Sequence, residues 1–389
     1  MMKNTYKYIL IAACSLASVL SCARFEEQDV PEAAKKVSMT FTAAIEKGPA
    51  PETKTVLGGQ MGDEYRKVLW QPEDSIGVSN TLGYVSMDKF VNISEDTDSL
   101  ATFAGRTNEG STYYMFYPYS SSLYATEWDK IYFTLPSEQT YAKESFSSNA
   151  MPMVAKGNPH ETLQFYSLCG VLALNITGSE TIQSISFTGK DAQGNPLPIA
   201  GDYFVYMNYD GVPDGIYTRN NNNTATVTLG CGEGVALDPV DSTAFYLVLP
   251  PATYDSFNII IATTDGKVML KESSKPLTIR RCNVTKTGAL TYVATETIDL
   301  SEIGNANSYI VSESGLYSID ATVIGNGEFG LIDGANFHTT STTISPANAK
   351  LLWEDTAGVI GGVTYADGKI NFMSTGIHGN ALVAATDAD

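Results

Sequence analysis

Basic side chains, histidine and cysteine are all scarce in this sequence. Lys and Arg total 24 against 43 Asp and Glu, a formal charge of −19 over 389 residues. A surface of that sign repels phosphate, which argues against nucleic acid as a partner. Three His and five Cys occur, with no Cys-x-x-Cys or Cys-x-x-His spacing. That gives no metal framework, and neither a metal nor a cofactor is expected. GxSxG, P-loop, GxGxxG-after-strand and HExxH patterns are also missing, so no catalytic residue is assigned and the chain is not expected to be an enzyme. His160, His338 and His378 lie far apart in loop-like settings and read as surface residues. The cluster Glu95-Asp96-Thr97-Asp98 carries oxygens suited to Ca²⁺ but lacks the glycine turn and distal Glu of an EF-hand, and reads as a solvated loop. Beyond the N-terminal segment no amphipathic helical pattern of about twelve residues or more is found.

What the sequence does contain is apolar residues, at 43%, enough to build cores and to exclude general disorder. The length suits two or three domains. At the N-terminus Lys3 and Lys7 precede an apolar run from Tyr8 to Leu20, 13 residues. As a helix this run spans roughly 20 Å against ~30 Å of membrane hydrocarbon, so it reads as a secretory signal and not a span. It ends in Val19-Leu20-Ser21-Cys22, which resembles a bacterial lipobox, with Cys22 acylated as the mature N-terminus. Cys14 also fits the pattern but would leave an apolar region of only about six residues, below the usual range. Two or more acyl chains anchor a protein stably to a membrane without spanning it. Glu26 and Glu27 resemble the surface-export signal of Bacteroidetes lipoproteins, and read equally well as part of a solvated tether. Removing residues 1–21 takes away Lys3 and Lys7, two positive charges, so −19 becomes −21. Cys169, Cys231 and Cys282 then allow one disulfide with a free thiol, or three buried thiols.

From Val37 onward the pattern is short, β-branched and aromatic runs punctuated by turn residues. Ser38–Ile45 alternates with period two, placing Met39, Phe41, Ala43 and Ile45 on one face. Asp210-Gly211, Asp265-Gly266 and Asp367-Gly368 are hairpin dipeptides. The fold class expected is all-β, in sandwiches. The division expected is a lipoprotein signal peptide at 1–21, a flexible tether at 22–37, an N-terminal sandwich at 38–158 and a C-terminal sandwich at 159–294. Residues 295–389 form an additional β-rich module, with a joint at Gly157-Asn158-Pro159 before the second sandwich. Ala381 to Ala385 reads as a strand without a return partner, which suggests a truncated module as readily as a complete one. Trp70 and the run Tyr113–Tyr117 read as core. Trp128 and Trp353 are the residues suited to a sugar-stacking platform.

Several segments occur in an order that resembles the fimbrillin family of Bacteroidetes surface lipoproteins. They are Lys54-Thr55-Val56-Leu57, Val68 to Val78 around Trp70-Gln71-Pro72-Glu73-Asp74, Tyr114-Met115-Phe116-Tyr117-Pro118, Leu135-Pro136-Ser137-Glu138-Gln139 and Met151-Pro152-Met153-Val154-Ala155. Leu163 to Leu172, Phe245 to Pro251 and Leu277-Thr278-Ile279-Arg280-Arg281 follow. The resemblance covers roughly residues 38–293.

It implies two tandem transthyretin-like β-sandwiches and a cell-surface location, lipid-anchored in the outer membrane, within a fimbrium. It also implies assembly by donor-strand complementation. A trypsin-like protease cuts after a basic residue, the first strand leaves, and another fimbrial subunit supplies a strand to the groove. The displaced strand here would be Ser38–Ile45. Lys47 and Lys54 are the candidate processing sites, because cutting at Arg24, Lys35 or Lys36 only severs the tether. The extra module at 295–389 makes a tip, anchor or accessory role fit better than a shaft role. The alternative is a monomeric surface lipoprotein that binds host or bacterial glycans.

Overall fold

The computed structural model describes residues 36–387, apart from 47–55, 58–67, 81–84, 127–129, 209–210, 221–222, 303, 305, 325–329, 333–334, 338–341 and 357. The described residues from Ser38 onward belong to one compact unit, Ser38–Asp389. The described residues contain strands and turns and no helix. The expected all-β class is therefore the class observed. None of the described residues forms a helix long and apolar enough to cross a membrane.

The first sheet has seven strands and closes on itself. Its order is Val37–Ile45, Thr162–Ser167, Met153–Gly157, Tyr113–Tyr117, Ser75–Ser79, Asp88–Asn92 and Leu100–Thr107. The first of these is called β1 below. The loop Gly157-Asn158-Pro159, read from sequence as a joint, instead turns an antiparallel hairpin inside this sheet, with Met153 opposite Ser167. Asn158 stabilises the turn by accepting the His160 N–H at 2.9 Å. Thr162–Ser167 thus completes the first sheet and pairs β1, so that sheet extends past residue 158.

The two halves are interleaved further along the chain. A five-stranded sheet runs Pro213–Thr218, Gly201–Met207, Lys130–Leu135, Tyr124–Thr126, Val85–Ser86. It draws strands from both sides of the expected joint. Another runs Glu138–Thr140, Thr226–Ala236, Thr181–Lys190, Ser256–Thr263, Val268–Ser273. A third sets Gly170–Thr177 between Thr243–Leu249 and Val284–Lys286. Gly170–Thr177 is buried on both faces for most of its length, which explains its continuous apolar run. One hydrophobic core joins all these sheets, from Phe41 and Trp70 through Leu135 to Leu247 and Ile261.

A buried side chain helps to weld the halves. Gln139 donates from Nε2 to the Val248 carbonyl at 2.8 Å and accepts the Val248 N–H at 2.9 Å. Its amide thus acts as a one-residue strand partner and leaves no backbone group of Val248 unpaired.

Beyond residue 295 a four-stranded sheet runs Thr297–Asp299, Gly315–Asp320, Lys369–Ser374, Ile360–Ala366. Asp367 (φ 51°) and Gly368 (φ 78°) form its two-residue hairpin turn, whose left-handed backbone explains the Asp-Gly pair. Its small core rests on Ile260, with Leu316 and Met373. Ala381–Thr386, expected to lack a partner, pairs antiparallel with Asn348–Glu354. The strand therefore has its return partner within the chain.

Candidate functional site

The strand singled out by its alternation is an integral wall of the first barrel. Along β1, Phe41, Ala43 and Ile45 are buried, Met39 is half-buried, and Ser38 and Thr40 are exposed. Parallel pairing sets Thr42 against Thr162 and Ile45 against Phe165. Phe41 packs between the rings of Phe90 and Tyr113, with centroids 5.3 and 5.0 Å away. Burying Phe41 and Ile45 contributes about 1.5–3 kcal/mol each.

Trp70 supplies a second hold. It is fully buried, edge-on to Phe103, Tyr117 and Phe165 at 4.9, 5.4 and 5.1 Å. Its indole N–H donates to the Ala43 carbonyl at 3.2 Å. The sequence reading of Trp70 as core holds, and its N–H adds a direct bond to the strand.

The two ends of β1 differ. At the N-terminal end an open groove is lined by Ser38, Met39, Thr40, Ala104, Gly105 and Arg106. Gly105 is required there, because a Cβ would lie 2.6 Å from the Phe90 ring and 2.7 Å from the Lys89 carbonyl oxygen. At the other end Glu46 is clamped. Its N–H donates to the Phe165 carbonyl at 2.8 Å, and its Oε1 accepts the Ser167 N–H at 2.6 Å. The same Oε1 pairs with Nη1 of Arg281, which also donates to the Ser167 carbonyl at 2.9 Å. The Glu46 side chain is only 10% exposed and that of Arg281 33%.

Burial pushes the Glu46 carboxyl above its ordinary value, and the Arg281 charge offsets only part of this. Burial, reinforced by the Glu46 charge, pushes the neighbouring Cys282 thiol up to about 12. Arg281 is held in place by its own turn. Cys282 takes φ 55° and donates its N–H to the Cys169 carbonyl at 2.9 Å. Gly170 follows, where a Cβ would sit 2.3 Å from the Arg280 carbonyl oxygen, so no larger residue fits without backbone movement.

Cys169, Cys231 and Cys282 are all free and buried, which selects the three-thiol alternative. Cys22, Glu26, Glu27, Lys47, Lys54, Trp128 and His338 lie outside the described residues. His160 and His378 are exposed, as is the Glu95–Asp98 loop. Trp353 is 54% exposed and has no ring neighbour among the described residues. No group of three His, Cys, Asp or Glu suited to a metal occurs among the described residues.

Sequence reasoning missed two features. One is the Glu46–Arg281 pair, whose only signal is an acidic residue directly after an alternating strand. The other is an aromatic row across one sheet face. Tyr124, Tyr132, Phe204 and Tyr217 occupy successive strands in direct register, with ring centroids 4.9, 5.7 and 5.5 Å apart. Arg219 lies over Tyr132 at 4.8 Å, and Lys130 over Phe204 at 4.9 Å. Strands whose residues on both faces are aromatic, as in Tyr203-Phe204-Val205-Tyr206, were the available signal.

No family model matches this sequence, and neither does any curated protein. Among solved structures, similarity is found to a candidate cell-adhesion protein from Bacteroides ovatus ATCC 8483, at 12% identity, TM-score 0.38, covering 67% of this chain and 97% of that one. A candidate cell-adhesion protein from Bacteroides uniformis ATCC 8492 is similar at 11% identity, TM-score 0.36, over 62% of this chain and 88% of that one. The C-terminally truncated tip fimbrial protein Mfa3 from Porphyromonas gingivalis is similar at 11% identity, TM-score 0.29, over 65% and 94%. These three neighbours are a fimbrial tip protein and two candidate cell-adhesion proteins of Bacteroidetes.

Proposed function

We propose that this chain is a cell-surface fimbrial or adhesive subunit that assembles by strand complementation. In this reading Cys22 carries the lipid anchor to the outer membrane, and β1 is the strand that leaves. The observation that carries it is the construction of β1. The strand walls a closed barrel, seats its apolar residues in pockets, and joins the rest of the chain through a segment that includes Lys47 and Lys54. Removing such a strand leaves a groove with unpaired N–H and C=O groups and empty side-chain pockets, which is what β-augmentation requires. The order of fimbrillin-like segments in the sequence supports the same reading. The extra module after residue 295 favours a tip, anchor or accessory role.

The test is assembly. Residues 23–389 and a chain starting at Gly48 are compared unboiled on a denaturing gel, with and without limited trypsin. A ladder confined to the shortened or trypsin-treated protein is the expected result. Shortened protein that aggregates without a ladder would show β1 to be a permanent core strand.

A second reading, saccharide binding, is favoured by the aromatic row Tyr124–Tyr132–Phe204–Tyr217. Tyr124 stacks on Tyr132 and Phe204 on Tyr217, and Arg219 and Lys130 cap the row, so a sugar would have to displace those cations. Loss of a glycan-array signal in Y132A and Y217A chains would support it; a blank array for the native chain would remove it.

A further inference from the structure

The clamp at the end of β1 is chemically selective in a way that apolar pockets are not. The pockets for Phe41, Ala43 and Ile45 accept many apolar residues of similar volume. The position immediately after them does not. There the groove presents the Ser167 N–H and the Arg281 guanidinium, which converge on one oxygen of Glu46. Arg281 is also tied to the Ser167 carbonyl, and the turn at Cys282 is bonded to Cys169, so the guanidinium is positioned before any strand arrives. A preorganised guanidinium beside a backbone N–H is a carboxylate site.

Resting on the reading of β1 as a displaceable strand, we propose that Arg281 and the Ser167 backbone form a carboxylate pocket that selects the replacement strand. The incoming segment carries apolar residues at alternate positions matching Phe41, Ala43 and Ile45, and an acidic residue directly after the last of them. A basic residue at that position meets Arg281 head-on. An apolar one leaves the guanidinium and the Ser167 N–H without their acceptor in a poorly hydrated place. Selection works mainly through these penalties. The pocket also sets register. A slip of one residue turns the apolar set outward and moves the carboxylate away from Arg281.

The test uses the full mature chain with a specific protease site placed within residues 48–53. After cutting, β1 is held without a covalent link. Labelled peptides of residues 37–47, as the native sequence and as E46A and E46K, are then exchanged into the cut chain. The native peptide is expected to enter, E46A to bind at least about tenfold more weakly, and E46K at least about a hundredfold more weakly. In a cut R281E chain the order of the native and E46K peptides is expected to reverse. Equal exchange of all three peptides into the native cut chain would overturn the pocket while leaving the displaceable strand intact. Exchange of none of them, from a chain still folded by circular dichroism, would overturn the strand reading and the pocket with it. The peptide series needs no change to the barrel, so a failure of R281E to fold does not affect it.

Discussion

The Trp70 indole N–H and the Ala43 carbonyl are joined by a buried hydrogen bond of 3.2 Å. The bond ties the middle of β1 to a residue whose own ring fills the barrel between Phe103, Tyr117 and Phe165. The strand is therefore gripped at three points: Phe41 by rings, Ala43 by the indole, Glu46 by Arg281.

Replacing Trp70 by Phe keeps an aromatic ring but removes the indole donor from the Ala43 carbonyl. A loss of about 0.5–1.5 kcal/mol is expected from the missing hydrogen bond, with some cavity cost added. Urea unfolding of residues 23–389 measures it. An unchanged midpoint would mean the carbonyl finds another donor.

Phe41→Ala removes the ring from between Phe90 and Tyr113. Destabilisation of about 3–5 kcal/mol is expected in the intact chain. Thr40→Ala, at an exposed position of the same strand, is expected to fall within about 0.5 kcal/mol, the usual range for surface changes. If both cost the same, the alternation of β1 is not what holds it.

Stability should carry a pH signature from Glu46. Its carboxyl sits above its ordinary value because burial penalises the charge more than Arg281 repays it. The folded chain thus holds this proton more tightly than the unfolded one. The contribution is fully present below the unfolded value and is lost as pH rises through the raised folded value. E46Q, which keeps an acceptor oxygen, is expected to remove that slope at little cost at neutral pH. The pair is therefore not expected to be a large source of stability, as holds for many buried ion pairs. Denaturation midpoints across pH 4–7 for the two proteins decide it; parallel curves would go against this assignment.

The three thiols should be silent in the folded chain. Burial pushes Cys231 up to about 11 and Cys282 to about 12, and Cys169 further still. A thiol-specific chromogenic reagent is expected to titrate no thiol of residues 23–389 under native conditions and three in denaturant. Rapid native labelling of any one would contradict its burial.

The all-β class, the inward face of β1, the core role of Trp70 and the Asp367-Gly368 hairpin were legible in the sequence. Each depends on local chemistry: a period of two, a β-branched and aromatic composition, a dipeptide that tolerates left-handed backbone. The misread joint at Gly157-Asn158-Pro159 shows where local signals fail, because turn residues mark a hairpin and a domain boundary alike. The aromatic row was hidden for a related reason. Tyr124, Tyr132, Phe204 and Tyr217 are neighbours only because three strand pairings bring them into register.

By itself, then, the sequence determined which segments extend and which of their faces are apolar, since backbone sterics and side-chain alternation act between near neighbours. Tertiary structure alone decided that β1 pairs with Thr162–Ser167 and that Glu46 meets Arg281 across 235 positions. Strand pairing uses backbone groups that every residue shares, so partners far apart in the chain carry no mark of one another until packing brings them together.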